Sequence, residues 1–159
     1  MATLLKADRE GYWEHFPALL AHLPAELDDT VKLNYFVLGS EADNAPTLVI
    51  TQLAPGVAIG KHAHVGRRVE IVIRGEMYAG DEVLHPGDVM MSDADEQYGP
   101  HTAGPDGAMT VEFFPDFVSA YRTVYAGLDG RPIVIDYSQP GAVALRPVHR
   151  KEPGSAAQN

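Results

Sequence analysis

The spacing of apolar and polar positions changes near residue 30 of this chain. Before it, Trp13, Phe16, Leu19, Leu20 and Leu23 recur at three- and four-residue intervals, which keeps them on one helical face. The spacing predicts a helix over 8–23, "DREGYWEHFPALLAHL". Pro17 should kink it or split it into two short pieces, because proline inside a helix lacks an amide donor and clashes with the preceding turn. Beyond residue 30 the runs are short and rich in β-branched or aromatic residues: "VKLNYFVL" (31–38), "TLVITQLA" (47–54), "RVEIVIRGEMYA" (68–79), "GDVMMS" (87–92), "AMTVEFF" (108–114) and "PIVID" (132–136). Several alternate with the period of two that a strand requires. Turn signals such as "NAP", "AGDE", "HPGD", "GPDG" and "DGRP" separate them. Many short strands without recurring helices predict an all-β sandwich or closed barrel. "PDFVSAYRTVYAG" (115–127) is expected as a helix packed on its outside. The expected organisation is a helical extension at 1–25, one barrel at 26–148, and a polar, aperiodic tail at 149–159 expected to be disordered.

Composition narrows the chemistry. The chain has 159 residues and no cysteine, so thiolate catalysis, iron–sulfur clusters and Cys-rich zinc sites are excluded. Any metal must be held by nitrogen and oxygen. The formal net charge of −10 argues against nucleic-acid and anionic-membrane partners, which need a basic surface. The start lacks a basic segment followed by an apolar one, and no stretch approaches a membrane span, so a cytoplasmic protein is expected. Within this acidic chain Lys61, Arg67, Arg68 and Arg74 gather near a pair of histidines.

That pair lies in "GVAIGKHAH" (56–64). His62 and His64 are two apart, so on a strand they share a face. Two adjacent imidazoles are either a metal's first ligands or two exposed residues. Glu70 on the following strand and His101 beyond the "PGD" turn are further candidates. Two or three imidazoles and a carboxylate suit Fe, Mn, Ni, Co, Cu or Zn.

These residues resemble the motifs of the cupin superfamily over about residues 45–115. Gly56, then His62 and His64 after five residues, and the closing Gly75 in "IRGE" match the first motif. Pro86 and Gly87 in "HPGDVMM" match the second. The resemblance implies a double-stranded β-helix, or jelly-roll barrel, commonly homodimeric, with a metal inside. The chain departs from the pattern twice. Arg68 stands where the family has its glutamate, and Glu70 comes two residues later. The offset keeps the strand face and moves the carboxylate about 7 Å along it. Either Glu70 reaches the metal, helped by a bulge or shorter turn near Val65–Gly66, or Arg68 enters the pocket as a cation with Glu70 as its partner or a base. The family's third histidine falls near Tyr98, so His101 completes the site through an inserted loop, or Tyr98 occupies it.

The candidate metal ligands are therefore His62, His64, Glu70 and His101, and the candidate catalytic groups are Arg68 and Tyr98. The implied cofactor is one divalent transition metal ion: Fe, Mn, Ni, Cu or Zn. The resemblance implies an enzyme acting on a small, anionic or enolisable organic substrate by dioxygenase-type oxidation. A Lewis-acid lyase or isomerase, and a non-catalytic small-ligand-binding cupin, are the alternatives. The expected partners are a small-molecule substrate and a second copy of the chain, with no nucleic acid and no membrane.

Overall fold

A computed structural model describes residues 3–23, 26–27, 30–127, 129–142 and 148–150. In chain order the first strands are β1 (Glu26–Leu27), β2 (Val31–Val37), β3 (Thr47–Leu53), β4 (Val57–Ile59), β5 (Ala63–His64) and β6 (Arg68–Ala79). They are followed by β7 (Glu82–Leu84), β8 (Val89–Ser92) and β9 (His101–Phe114). Helix α1 (Phe117–Tyr121) leads directly into β10 (Arg122–Ala126), and β11 (Pro132–Asp136) and β12 (Val148–Arg150) complete the set.

Alternation builds β3 as expected: Thr47, Val49, Thr51 and Leu53 are buried, and the residues between them are half-buried. β3 lies between β2 and β9, and all three are antiparallel. β9 is the spine, because it also pairs with β4 and along much of β6. With β1, β7, β8 and β12 these form a nine-stranded sheet among the described residues. β11, β10 and β5 form a second sheet of three strands. This is all-β with little helix, as the strand pattern predicts, and a jelly-roll, as the family resemblance implies. Gly75 explains the close of the first motif. It adopts φ +70, and a Cβ there would lie 2.1 Å from the Gly107 carbonyl oxygen on β9.

Two apolar clusters fill the interior. One gathers Tyr35, Val49, Phe114, Phe117, Tyr121 and Ile135. The other gathers Val31, Leu53, Val57, Val72 and Met77. A cavity with a largely apolar wall and a few buried polar side chains is lined from both.

Several expectations change. The 8–23 segment is two single 3₁₀ turns, Tyr12–Glu14 and Ala18–Leu20, divided at Pro17. Glu41 accepts hydrogen bonds from the Ala18 and Leu19 amides and so stands in for the missing helical partners. The helix expected over 115–127 begins with Asp116 capping the Ser119 amide and stops at Tyr121. Arg122–Ala126 is a strand instead, because β5 and β11 flank it on both sides and Thr, Val and Tyr fit a pleated sheet. The strand expected at 108–114 already begins at His101. His149 and Arg150, assigned to the tail, pair with β4, and residues 151–159 lie outside the described residues.

Candidate metal centre

His62 and His64 are held by backbone on both sides. His64 pairs with Thr123 of β10. His62 forms an isolated antiparallel bridge with Tyr98, with amide-to-carbonyl distances of 3.1 and 2.9 Å. Each ring is then oriented by its own Nδ1. His62 Nδ1 donates to the Gly60 carbonyl at 2.8 Å, and His64 Nδ1 donates to the Ser119 carbonyl at 2.8 Å. A carbonyl only accepts, so both Nδ1 atoms carry the proton and both Nε2 atoms keep a lone pair. The Tyr98 hydroxyl donates to His62 Nε2 at 3.0 Å.

His101 opens β9 opposite Ile59 of β4. Its Nε2 is buried without a hydrogen-bond partner, and its Nδ1 lies 3.7 Å from Glu70 Oε2. His62, His64, Arg68, Glu70 and His101 all line one cavity of about 70 Å³. Tyr98 is outside that lining and bonds His62. Burial, with His62 and Arg68 adding, holds the His64 pKa well below its ordinary value. Burial, Arg68 and His62 hold His101 down to about 3. Both rings are therefore neutral at physiological pH, the form that binds metal.

Arg68 and Glu70 form a buried pair. Both side chains face inward and are almost fully buried, at 2% and 4% exposure. Arg68 donates to Glu70 Oε2 at 2.7 Å and also to Glu112 Oε2. Glu70 and Glu112 are directly opposite each other on β6 and β9. Like charges in that register repel, and the guanidinium between them removes the conflict. Burial lowers the Arg68 pKa, but Glu70 and Glu112 outweigh it and raise it. Burial pushes the Glu70 carboxyl up to about 7 against the pull of Arg68, and Glu112 adds to the rise. Thr51 donates to the other oxygen of Glu112 at 3.0 Å. The Arg68 guanidinium also lies 3.8 Å over the Tyr98 ring, a cation–π contact. Burial holds the Tyr98 phenol well above its ordinary value despite that cation.

The other cations of the cluster stay outside. Lys61 and Arg74 are exposed, and Arg67 pairs with Asp93 at the surface. The register shifts of β6 fall between Val72 and Arg74 and between Gly75 and Met77, beyond Glu70, rather than at Val65–Gly66. Among the described residues no group of three His, Asp or Glu side chains is already gathered around one point to hold an ion. The donor chemistry nevertheless fits a metal at the histidines, where His62 and His64 keep their Nε2 lone pairs and the buried Nε2 of His101 has no hydrogen-bond partner. It fits poorly at Glu70, whose carboxyl is engaged by Arg68.

No family model matches the chain, and no curated protein matches it. Among solved structures it is similar to an RmlC-like cupin from Ralstonia eutropha JMP134. The TM-score is 0.51 and the identity 18%, covering 69% of this chain and 68% of that one. It is also similar to an acetylacetone dioxygenase from Acinetobacter johnsonii, with TM-score 0.52 and identity 15%, covering 76% of this chain and 83% of that one.

The chain has the cupin fold.

A likeness at such identity speaks for architecture and leaves chemistry to the site. Here the site includes residues that sequence reasoning missed: Glu112, Thr51, Ser119 and Tyr125, whose ring centroid is 5.6 Å from that of His62. Glu112 left one signal, a charge inside the alternating run "AMTVEFF". Ser119 left none, since it acts through its backbone carbonyl.

Proposed function

We propose that this cupin is a metal-dependent enzyme acting on a small, enolisable organic substrate. His62, His64 and His101 would hold one divalent transition metal ion, Fe, Mn, Ni, Cu or Zn, through Nε2. One observation carries the reading: three imidazoles line a single buried cavity, and two have Nδ1 tied to backbone carbonyls. Bound there, such an ion would polarise a carbonyl or enolate oxygen and, if redox-active, bring dioxygen into the reaction.

The chain's own residues supply the rest. The Glu70 carboxyl, raised to about 7, matches the requirement for moving a proton next to a carbonyl at neutral pH. Arg68 holds Glu70 in place, and its charge is spent on Glu70 and Glu112. The site therefore favours an uncharged, enolisable substrate over an anionic one. Walls such as Phe114, Met77 and Tyr125 exclude water. The similarity in fold to an acetylacetone dioxygenase supports oxidation of a compact β-dicarbonyl compound. A second reading, Lewis-acid lyase or isomerase chemistry, draws on the same Glu70 carboxyl.

The test is elemental analysis of protein purified without tag or chelator, then oxygen uptake with 2,4-pentanedione. Near-stoichiometric Fe, Mn, Ni or Cu with substrate-dependent uptake is the expected result. Zinc with deuterium exchange into the diketone and no uptake selects the second reading. His62→Ala with His64→Ala should remove the metal and leave a folded barrel. Unchanged stoichiometry in that variant overturns the assignment of His62 and His64 as ligands, and no metal after anaerobic reconstitution overturns both readings in favour of ligand binding without turnover.

A further inference from the structure

We propose that Tyr98 is a placeholder for the metal: its hydroxyl occupies the coordinating Nε2 of His62, and an incoming ion must displace it. The inference rests on the metal-binding reading above and adds the group that governs loading. His62 has two ring nitrogens. Nδ1 is committed to the Gly60 carbonyl, so Nε2 alone can ligate, and Tyr98 already bonds it at 3.0 Å.

The arrangement is built rather than incidental. The backbone bridge between His62 and Tyr98 sets the two side chains beside each other. Arg68 lies 3.8 Å over one face of the phenol ring, and His101 stacks on it with centroids 5.2 Å apart. Arg68 in turn is anchored by Glu70 and Glu112, so four pocket residues fix the phenol. His101 shows the alternative, because its buried Nε2 has no partner. An unpaired buried nitrogen is costly, and Tyr98 spares His62 that cost in the metal-free protein. It also holds the ring in a ligating orientation. Once the ion takes Nε2, the hydroxyl is released as a hydrogen-bond donor beside His62. A placeholder weakens metal binding by the worth of the bond it forfeits.

The experiment is calorimetric titration of full-length, metal-free wild type, Tyr98→Phe and Tyr98→Leu with Zn(II) and Co(II). A single hydrogen bond predicts about three- to ten-fold tighter binding in Tyr98→Phe. Thermal unfolding should show the metal-free variant less stable than wild type, with a larger gain on adding Zn(II). If Tyr98→Phe fails to fold, Tyr98→Leu and the wild type decide. In wild type the Tyr98 ring carbons, labelled with ¹³C, should shift with the first equivalent of Zn(II). Unchanged affinity with a static ring signal overturns the proposal and leaves the metal reading intact. Weaker binding, or a phenolate charge-transfer band on loading Cu(II), also overturns it, since Tyr98 would then be a ligand. No binding by folded wild type or either variant overturns the metal reading, and this proposal with it.

Discussion

Arg68 occupies the place of an acid in the motif, and the interior is arranged around its charge. Two carboxylates directly opposite one another on β6 and β9 are tolerable only with the guanidinium between them. Arg68→Met should therefore cost about 3–5 kcal/mol in urea unfolding at neutral pH, the range for stripping a partner from buried charge. The triple variant Arg68→Met, Glu70→Gln, Glu112→Gln should recover most of it. A single variant as stable as wild type would show that the trio does not act as a unit. Strand parity alone puts Glu70 on the face of Arg68. Glu112 is not legible in that way. Parity says which residues share a face, not which face turns inward, and Val111 and Phe113 claim the interior by hydrophobicity.

At the scale of elements, α1 and β10 carry the site from behind. The Ser119 carbonyl of α1 orients His64, and β10 pairs with the strand that bears it. Gly66 permits this, because a Cβ there would lie 2.1 Å from Ser119 Oγ. Gly66→Ala should push α1 outward and destabilise the fold by about 1–3 kcal/mol. Adding Ser119→Gly should restore much of the loss, and equal unfolding midpoints for Gly66→Ala and wild type would refute the close contact. The β10–β11 pair has its own clasp. Asp136 accepts from Arg122 Nε at 2.8 Å and from the Ser138 amide and hydroxyl at 3.0 and 2.5 Å. Burial raises the Asp136 pKa, but these donors outweigh it and hold the carboxyl below its ordinary value. A depressed folded pKa gives stability that is present above the unfolded pKa, about 4, and is lost as pH falls through the folded one. The stability difference between wild type and Asp136→Asn should thus be full near neutrality and shrink on acidification below about pH 4. A difference that grows on acidification would contradict this assignment.

Across the whole molecule, the start of β6 and the end of β9 turn charged and polar side chains inward beside apolar ones. Arg68, Glu70, Thr110 and Glu112 line the interior cavity. Val69, Ile71, Ile73, Val111 and Phe113 lie on the other side, joined by Val89 and Met91 of β8 and Leu48 and Ile50 of β3. Met91 is 73% exposed and Val89 54%. A continuous apolar face of this kind marks an interaction surface. We propose that a second copy of the chain covers it. Wild type should scatter light as a dimer at micromolar concentration, and Met91→Glu with Phe113→Glu should yield a folded monomer. A monomeric wild type would refute the homodimer.

Local chemistry decides most of what can be read along the chain. Side-chain alternation locates β2, β3, β6 and β11, and the glycine and histidine spacings identify the motif, because these depend on neighbours a few residues away. The 115–127 segment shows where that ends. Its residues accept helix or strand, and only the open edges of β5 and β11 choose strand beyond Tyr121. The same holds for Tyr98 and His101, which are offered by one loop: His101 lines the cavity once β9 begins there, and Tyr98 is bridged to His62. The inward turn of the polar faces of β6 and β9 is likewise set by pairing across long sequence distances. Hydrophobic pattern points the other way, since the outward Val69, Ile71, Val111 and Phe113 are more apolar than the inward Arg68, Glu70 and Glu112.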